Sequence, residues 1–492
     1  MELILIVIYG LTLCFIFLYS LVQMNLVINY LKKKKDNISI NEIPTTDLPF
    51  VTIQLPLYNE LYVVERLIDS IAAMDYPKDK FEIQILDDST DETVDIVAKK
   101  VTAYKALGFN IYQHRREIRT GYKAGALAEG LSLAKGEFIA IFDADFLPKP
   151  EFLIKTLPFF KDTKIGVVQT KWEHLNRNYS LLTRLQAFGL DAHFTVEQTG
   201  RNVGNHFINF NGTAGIWRKS CIEDAGGWEA DTLTEDLDLS YRAQLKGWKF
   251  KYLEELGSPA ELPAAMNALK TQQFRWTKGA AECTRKNLLK VLKNKALPFS
   301  TKLHALFHLM NSSIFICIML LAILSIPMLM IKNNFVEYRL LFKLGSFFIL
   351  SVVFLSIYYF VSLASDYENK LKAFFHFIFL FPLFLCVSMG LSLHNALAVI
   401  EGYMGKKSPF IRTPKFNIIK NKDVWKENKY LVSSVSFLTV FEFLLTCYFL
   451  LGIYSAFYYN DFVLIPFHIM LFLGFGYVTF YSLFHSRKIK RD

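Results

Sequence analysis

Apolar residues are unevenly distributed along the chain, and their distribution divides it into three parts. Residues 2–30 form an apolar run without Lys or Arg, and after residue 300 further apolar runs occupy 303–331, 342–364, 372–400, 431–457 and 461–485. Each run is long enough for the roughly 20 residues that a membrane-spanning helix needs. The stretch 32–300 contains no such run. The pattern predicts an N-terminal transmembrane helix (1–31), a soluble domain (32–300) and a multi-helix transmembrane region (301–492).

Within residues 32–300, short apolar segments alternate with longer segments of helical periodicity. Such alternation is typical of a mostly parallel sheet with helices on both faces. The sequence contains neither GxGxxG nor GxxxxGK[ST], so it has no dinucleotide fingerprint and no P-loop. The pattern predicts strands at 50–55, 81–86, 110–114 and 138–142, and helices at 65–73, 93–107 and 124–134.

Carboxylates follow two of these predicted strands. Asp143 and Asp145 end the strand at 138–142, and Asp87 and Asp88 end another. Ligands of open α/β sheets gather outside the carboxyl ends of strands. Alternate residues there can turn both carboxylates toward one ion, and such oxygen ligands suit Mg²⁺ or Mn²⁺ carrying a phosphate group. Taken alone, Asp143 and Asp145 fit an acidic turn equally well.

The second half of the soluble stretch offers a further set of polar candidates. Residues 209–217 combine glycine with polar side chains, as where backbone approaches a ligand closely. Thr234 is predicted to cap a helix, which places Asp236 in the first turn of that helix. At that position Asp236 either takes part in catalysis or only compensates the helix dipole. Residues 272–276 (QQFRW) lie on another predicted helix just ahead of the membrane region.

Composition and charge narrow the class of protein. The 492 residues are 52% hydrophobic and carry a net charge of +10. Much of the basic excess lies beside apolar runs, where anionic lipid headgroups explain it better than nucleic acid does. The six cysteines show no CxxC spacing, which argues against a zinc site or a disulfide framework and fits a reducing cytosol.

Basic clusters predict the orientation of the protein in the membrane. The first apolar run is too long for a signal peptide and lacks a basic start, so we interpret it as a retained anchor. Residues 32–35 and 487–491 are rich in Lys and Arg. The positive-inside rule then places the soluble domain in the cytosol, facing a plasma, inner or Golgi-type membrane.

A dense set of motifs resembles one known family. In order along the chain they are LDDSTD (86–91), GYKAGAL (121–127), IFDADF (141–146), DAHFTVEQ (191–198), FNGTAGIWRKS (210–220), AGGW (225–228), TEDLDLSYRAQLKGWKF (234–250) and QQFRW (272–276). Together they resemble the inverting family 2 glycosyltransferases of the cellulose-synthase superfamily. Within that superfamily the chain is most similar to the plant cellulose-synthase-like mannan and glucomannan synthases.

The resemblance implies a GT-A fold, which is a Rossmann-like mixed α/β sheet, and transfer of a sugar from a nucleotide donor with inversion. It implies that Asp143 and Asp145 hold Mg²⁺ or Mn²⁺ and that Asp236 is the general base. The other residues implied to bind substrate are Tyr58, Glu60, Asp87 and Asp88 at the nucleoside, Lys123 and Arg275 at the diphosphate, Gln272 closing the site, and Trp276 as an acceptor platform.

The membrane half carries one further resemblance. Residues 410–415 (FIRTPK) are similar to the FxVTxK gating loop of cellulose synthases, which implies that Thr413 and Lys415 cover the donor site. Arg412 stands in place of Val, and Pro414 stiffens the segment. The alternative interpretation is a basic juxtamembrane linker that binds headgroups.

The position of this gating-like loop, within 401–430, conflicts with a simple count of membrane spans. Three apolar runs lie between the soluble domain and the loop, and three crossings would put the two on opposite sides. Either one run bends back or lies along the interface, or the basic stretch 401–430 contradicts the positive-inside rule. The run 372–400 is the candidate, because its second half contains Gly390, His394 and Asn395.

Three functions fit these patterns. The first is a processive synthase that extends a β-linked polysaccharide, a mannan or glucan, and passes it through its own membrane helices. The second is transfer of one sugar onto a membrane lipid, such as a ceramide or a polyprenyl phosphate. The third is a non-catalytic nucleotide-sugar sensor or export partner. The donor would be GDP-mannose, GDP-glucose or UDP-glucose, and no nucleic-acid partner is expected. Protein partners cannot be inferred from the sequence.

Overall fold

The computed structural model describes residues 1–33, 48–419, 423, 425, 428–431 and 435–486. Its centre is one seven-stranded sheet with the strand order β3-β2-β1-β4-β6-β5-β7. Two basic clusters predict the orientation in the membrane. Residues 34–35 of the first cluster and all of the second cluster, 487–491, lie outside the described residues. The strands are β1 Val51–Leu57, β2 Phe81–Asp87, β3 Ile111–His114, β4 Phe138–Ile141, β5 Ile165–His174, β6 Gly215–Arg218 and β7 Lys249–Ala260.

The sheet is mixed, as the fold class predicts. β1, β2, β3 and β4 are parallel to one another, whereas β6 runs antiparallel to both β4 and β5. β5 and β7 are again parallel. Because β6 alone is reversed, the segment that enters it lies at the same edge as the carboxyl ends of β1, β2, β4 and β5. That edge collects the residues of the candidate site.

Helices cover both faces of the sheet, and the predicted helices at 65–73, 93–107 and 124–134 match observed ones to within about two residues, a usual boundary uncertainty. A single π-helical turn, His193–Glu197, joins α6 to α7. The helices in this half of the chain are α1 Glu2–Leu31, α2 Val64–Ala72, α3 Thr93–Ala106, α4 Tyr122–Leu133, α5 Phe152–Thr156, α6 Leu181–Ala192, α7 Gln198–Val203, α8 Lys219–Asp224, α9 Glu235–Leu245 and α10 Met266–Lys293.

The alternating residues of β4 explain why this strand sits in the middle of the sheet. Phe138, Ala140 and Phe142 pack into the hydrophobic layer beneath α2 and α3, whereas Ile139 and Ile141 pack into the opposite layer beneath α4 and α9. All five side chains are buried. An uninterrupted apolar segment is what a strand covered on both faces requires.

Six helical segments are long and apolar enough to cross a membrane, among the residues that the structure describes. They are Glu2–Leu31, Asn311–Asn334, Val336–Ser365, Lys370–Gly390, Leu438–Tyr458 and Ile465–Ser486. The individual helices after α10 are α11 Phe299–Leu309, α12 Ile314–Asn334, α13 Arg339–Gly345, α14 Leu350–Ser365, α15 Lys370–Gly390, α16 Ser392–Met404, α17 Leu438–Tyr458 and α18 Ile465–Ser486.

The apolar run 372–400 is divided between α15 and α16, which meet at Leu391. At the start of α16, Ser392 Oγ donates to Met319 Sδ inside α12 at 3.0 Å. At its end, Tyr403 OH lies 2.5 Å from Ser313 Oγ, which precedes α12. α16 therefore runs back along α12 toward the turn at 311–313, which precedes α12 and packs on α10.

A buried ion pair joins α10, a helix of the sheet-bearing half, to two apolar helices. Lys270 Nζ lies 2.8 Å from both carboxylate oxygens of Glu442 on α17 and also donates to Ser482 Oγ on α18 at 2.8 Å. The Glu442 side chain is 0% exposed and that of Lys270 is 8% exposed. Removing one member of such a pair leaves a buried charge without compensation.

We predict that Lys270→Met destabilises the protein by about 3 kcal/mol, because Glu442 then stays buried without a partner. The double variant Lys270→Met/Glu442→Leu should recover most of the loss. Lys290→Met, at an exposed position of the same helix, is the matched control. Thermal unfolding of the detergent-solubilised chain measures the effect, and equal midpoints for Lys270→Met and Lys290→Met would contradict it.

Candidate active site

One cavity opens at the sheet edge where the carboxyl ends of β1, β2 and β4 meet. Twelve of the thirteen residues that the sequence predicts for the site line it, the exception being Asp87. They are Tyr58, Glu60, Asp88, Lys123, Asp143, Asp145, Asp236, Gln272, Arg275, Trp276, Thr413 and Lys415. The cavity thus combines residues from the sheet, from α4, α9 and α10, and from the loop that follows α16.

The ends of β1 and β2 are fixed to each other by Asn59, which adopts a left-handed backbone conformation (φ 56°). Its backbone N–H donates to Ser89 Oγ, and its side-chain oxygen accepts from the N–H of Thr90, both at 2.8 Å. These bonds hold Tyr58 and Glu60 of the PLYNE turn next to Asp88.

Asp87 and Asp88 have different environments. Asp88 accepts two hydrogen bonds from the Arg116 guanidinium, at 2.9 and 2.5 Å. Asp87 is buried beneath the cavity, where its carboxylate accepts from Gln113 Nε2 and from the N–H of Ser89. Asp87 therefore supports the turn that presents Asp88 and does not line the site.

Two arginines that the motifs did not identify bound the Asp88 end of the cavity. Arg116 makes the bidentate contact with Asp88, and the Arg119 guanidinium lies 3.4 Å from the centre of the Tyr58 ring. Both precede α4 in a segment without hydrophobic periodicity. The only available signal was the basic run at residues 115–119, which reads equally well as a solvated loop.

Asp143 and Asp145 each face a lysine. Asp143 Oδ1 is 2.6 Å from Lys123 Nζ, and Asp145 Oδ2 is 2.7 Å from Lys415 Nζ. Asp145 Oδ1 is buried and accepts no hydrogen bond from the described part of the chain. Two carboxylates at one strand end, one with an unused buried oxygen, form a donor set that fits a hard divalent cation.

Asp236 lies at the start of α9, as predicted, although the side chain of Thr234 does not cap that helix. Asp236 Oδ1 accepts from the N–H of Leu237 at 2.9 Å. Gly212 has a positive φ of 78°, and a Cβ there would lie 3.0 Å from Asp236 Oδ2. Only glycine therefore leaves Asp236 room beside the polar loop at 209–214.

Burial and neighbouring charges shift the pKa values of two groups in the centre of the site, Asp236 and Lys123. Burial, and then the carboxylate of Glu235, raise the pKa of Asp236 to about 7. Burial alone would lower the pKa of Lys123, but Asp143 and Glu235 outweigh it and raise that pKa above its ordinary value. Lys123 is therefore a permanent cation beside a carboxylate that can exchange a proton near neutral pH.

α10 carries Gln272, Arg275 and Trp276 on one face, because residues three and four apart in a helix are neighbours. The Trp276 ring lies 6.4 Å from the ring of Trp172 on β5, between centroids. The Arg275 guanidinium lies 4.6 Å from the centre of the Phe410 ring and donates to Thr413 Oγ1 at 3.4 Å. α10 thus closes the cavity on the side away from β2.

The gating-like loop enters the cavity and is anchored there by charges. Arg412 Nη1 is 2.8 Å from Glu60 Oε2, and Lys415 contacts Asp145 as described. The backbone N–H groups of Phe416 and Asn417 donate to the buried carboxylate of Glu261 at 2.8 and 2.9 Å. Arg412, which departs from the family motif, therefore makes one of the ion pairs that hold the loop in place.

Comparison with known proteins identifies the class. Residues 49–279 match the family described as "Glycosyltransferase like family 2". The chain is 36% identical over 412 residues to glucomannan 4-beta-mannosyltransferase 9 of Arabidopsis thaliana, an alignment that covers 80% of this chain and 72% of the relative. The chain therefore belongs to the family 2 glycosyltransferases, and the predicted resemblance to cellulose-synthase-like glucomannan synthases is confirmed.

Other relatives align over a shorter part of the chain. Probable glucomannan 4-beta-mannosyltransferase 4 of Oryza sativa subsp. japonica is 45% identical over 264 residues. That alignment covers 53% of this chain and 48% of the relative, so it spans about half the relative's length. With its apolar helices, the chain is an integral membrane protein.

A solved structure supports the fold. It is a mannosyltransferase from Pyrobaculum calidifontis in complex with GDP-Man and Mn²⁺, with a TM-score of 0.51 and 21% identity. The similarity covers 71% of this chain and 98% of the other. The predicted GT-A-like sheet is confirmed.

We predict that Arg412→Ala loosens the gating-like loop, because it removes the buried ion pair with Glu60. Hydrogen–deuterium exchange at the amides of Phe416 and Asn417 should accelerate roughly tenfold or more. Lys407→Ala, at an exposed position of the same loop, should leave both rates unchanged. Equal exchange rates in the two variants would show that Arg412 does not anchor the loop.

Proposed function

We propose that this chain is a membrane-embedded, inverting glycosyltransferase that moves a hexose from a nucleotide sugar onto a growing β-glycan. GDP-mannose is the first candidate donor, because the aligned relatives are described as glucomannan 4-beta-mannosyltransferases. GDP-glucose and UDP-glucose are the others. The observation that carries the proposal is the meeting of Asp236, the Asp143–Asp145 pair and the Arg275–Trp276 face of α10 in one cavity.

Asp236 fits the role of the base. Its carboxylate removes the proton from the acceptor hydroxyl as that oxygen attacks the anomeric carbon and the bond from this carbon to the diphosphate oxygen breaks. A pKa of about 7 suits a base that must hold and release a proton near neutrality. Attack opposite the leaving group in a single displacement inverts the anomeric configuration.

The departing diphosphate requires compensation of its negative charge. Among the described residues that line the cavity, Lys123, Arg275 and Lys415 are cations that lie near Asp143 and Asp145. In this proposal Lys123 and Lys415 exchange their carboxylate partners for phosphate oxygens when the donor binds. Asp143 and Asp145 would hold Mg²⁺ or Mn²⁺, which when bound neutralises developing negative charge on the leaving group.

Tyr58, Glu60 and Asp88 lie at the opposite end of the cavity from Trp276, and we assign them to the nucleoside. Arg119, stacked on Tyr58, and Arg116, paired with Asp88, would set the shape of that end. Thr413 and Lys415 would cover the donor from the loop side. Asp87 would act only by holding the turn.

A second cavity, of about 210 Å³, supports translocation of a polymer through this chain's own helices. It shares Leu190, Gln272 and Trp276 with the first cavity, so the two meet beneath the acceptor platform. Side chains of α6, α14, α15 and α16 form its walls, including Gln186, Tyr359, Phe384, Ser388 and Asn395. Polar groups among aromatic rings suit a sugar chain, because sugars present both hydroxyls and apolar C–H faces.

The membrane topology that fits these contacts has five crossings. We propose that α15 and α16 form a re-entrant pair within the transmembrane region 301–492, which keeps the loop at 405–419 on the side of the soluble domain 32–300. α18 also ends on that side, where His485 Nδ1 accepts from the N–H of Met266. We propose that this shared side, on which the anchor 1–31 also ends, is the cytosol, as the basic residues beside these segments predict.

Analysis of the product tests the function. Membranes containing this chain, supplied with radiolabelled GDP-mannose, GDP-glucose or UDP-glucose, should yield alkali-stable polymer that a β-mannanase or β-glucanase degrades. Label found only in solvent-extractable lipid would instead favour transfer to a membrane lipid, which the apolar walls of the second cavity could also accommodate. Absence of any transfer would contradict the proposed function.

A further inference from the structure

Two side chains of β5, Trp172 and His174, line the cavity although no motif identifies either of them. They are two residues apart on one strand, so they project from the same face of the sheet. Trp172 packs between the rings of Phe146 and Phe194, at centroid distances of 5.2 and 4.8 Å. This packing fixes the Trp172 ring as a wall beside Trp276.

The strand order puts this pair far from the nucleoside end. β5 is four strands away from β2, whose end carries Asp88. Neighbouring strands lie about 4.8 Å apart, so the separation is roughly 19 Å. Leu190, which also lines the cavity, belongs to the second cavity as well. Trp172 and His174 therefore border the part of the site where an acceptor, and not the donor nucleotide, would lie.

His174 lies beside a pair of oppositely charged side chains, Asp191 and Arg177. Its Nε2 lies 3.3 Å from Asp191 Oδ1, and only 1% of its side chain is exposed. Asp191 is held in turn by both terminal nitrogens of Arg177, at 2.7 and 2.9 Å. Burial would raise the pKa of Asp191, but His174 and Arg177 outweigh it and lower that pKa below its ordinary value. Asp191 is therefore a carboxylate at neutral pH.

Either ring nitrogen of a histidine can take part in a hydrogen bond. Nε2 of His174 is buried and makes no hydrogen bond within the described part of the chain, although Asp191 Oδ1 lies near it. Within the described ranges of the chain, the structure records no hydrogen bond to Nδ1. Ring nitrogens without a hydrogen-bond partner, beside a flat indole, suit a sugar hydroxyl above an apolar sugar face.

We propose that His174 binds the acceptor glycan through a hydrogen bond with one of its hydroxyl groups, with Trp172 as the adjoining apolar wall. Asp191 and Arg177 are positioning residues that act through His174. This inference rests on the proposed function, since it requires a glycan acceptor. It adds a specificity-determining group on β5, near the Trp276 platform of α10.

The test compares His174→Phe with His174→Asn in the full-length protein. Phe keeps a flat ring but removes both nitrogens, whereas Asn restores a polar atom at the position of Nδ1. With the active nucleotide sugar as donor and a β-1,4-linked manno-oligosaccharide as acceptor, His174→Phe should raise the acceptor KM roughly tenfold, as expected for one lost hydrogen bond. The donor KM and kcat at saturating acceptor should change little, because the lost contact is uniform binding.

Two further variants separate recognition from packing. His174→Asn should bring the acceptor KM back to within about threefold of the wild type if the hydrogen bond is largely restored. Asp191→Asn should raise the acceptor KM by itself but add nothing to His174→Phe in the double variant, because it acts through His174. His376→Phe, at an exposed position of α15, is the control for loss of a histidine.

Several outcomes would overturn this inference. An unchanged acceptor KM in His174→Phe would show that His174 does not contact the acceptor. An increase in the donor KM instead would place its contact on the donor. Equal effects of Phe and Asn would mean that packing, and not hydrogen bonding, is its contribution. Wild-type protein that transfers no sugar would contradict the proposed function itself, which is a distinguishable result.

Discussion

The arrangement of this site depends on the compensation of buried negative charge. Asp143, Asp145, Glu235 and Asp236 converge where strands β4 and β6 meet, and burying carboxylates without partners is unfavourable. Lys123 supplies one compensating cation from α4. The others, Arg275 and Lys415, come from α10 and from the loop after α16. Parts of the chain that are distant in sequence are thus brought to one sheet edge by the electrostatics of that edge.

The same charges explain why the site is built partly from the membrane half of the chain. α10 supplies Arg275 and Trp276 to the cavity and is also fixed to α17 and α18 through Lys270. The gating-like loop follows α16 and ends against Glu261 of the segment between β7 and α10. A movement of the apolar helices would therefore shift the side chains that surround Asp145 and Asp236. In the proposed function, this connection would couple transfer at the sheet edge to movement of the product between the helices.

Much of the fold could be predicted from local patterns. The uninterrupted apolar segment of β4 identified a strand buried on both faces, and the motifs brought together all but one of the predicted site residues. Asp87 was beyond such reasoning, because two adjacent carboxylates look alike in a sequence while their side chains point to opposite sides of a strand. The turn of the run 372–400 was predicted from its polar second half, but its position at Leu391 depends on contacts with α12.

Residues that act through long-range contacts could not be found this way. Arg119 is placed by a stacking contact with Tyr58, more than sixty positions away in sequence. Glu261 holds two amides of a loop that follows it by more than a hundred and fifty residues. His174 lies 3.3 Å from Asp191, which in turn contacts Arg177, a residue outside every motif. Each of these residues has an ordinary local sequence, and only the tertiary structure shows its partner.

The central claim is that Asp236 removes the proton from the acceptor in a site otherwise built to bind the donor. The most direct test is Asp236→Asn, measured for donor binding and for sugar transfer in the same preparation, with the exposed Glu223→Gln as control. The account predicts a loss of transfer of roughly a thousandfold with donor affinity retained. Transfer at the wild-type rate, or loss of donor binding in parallel with transfer, would contradict it.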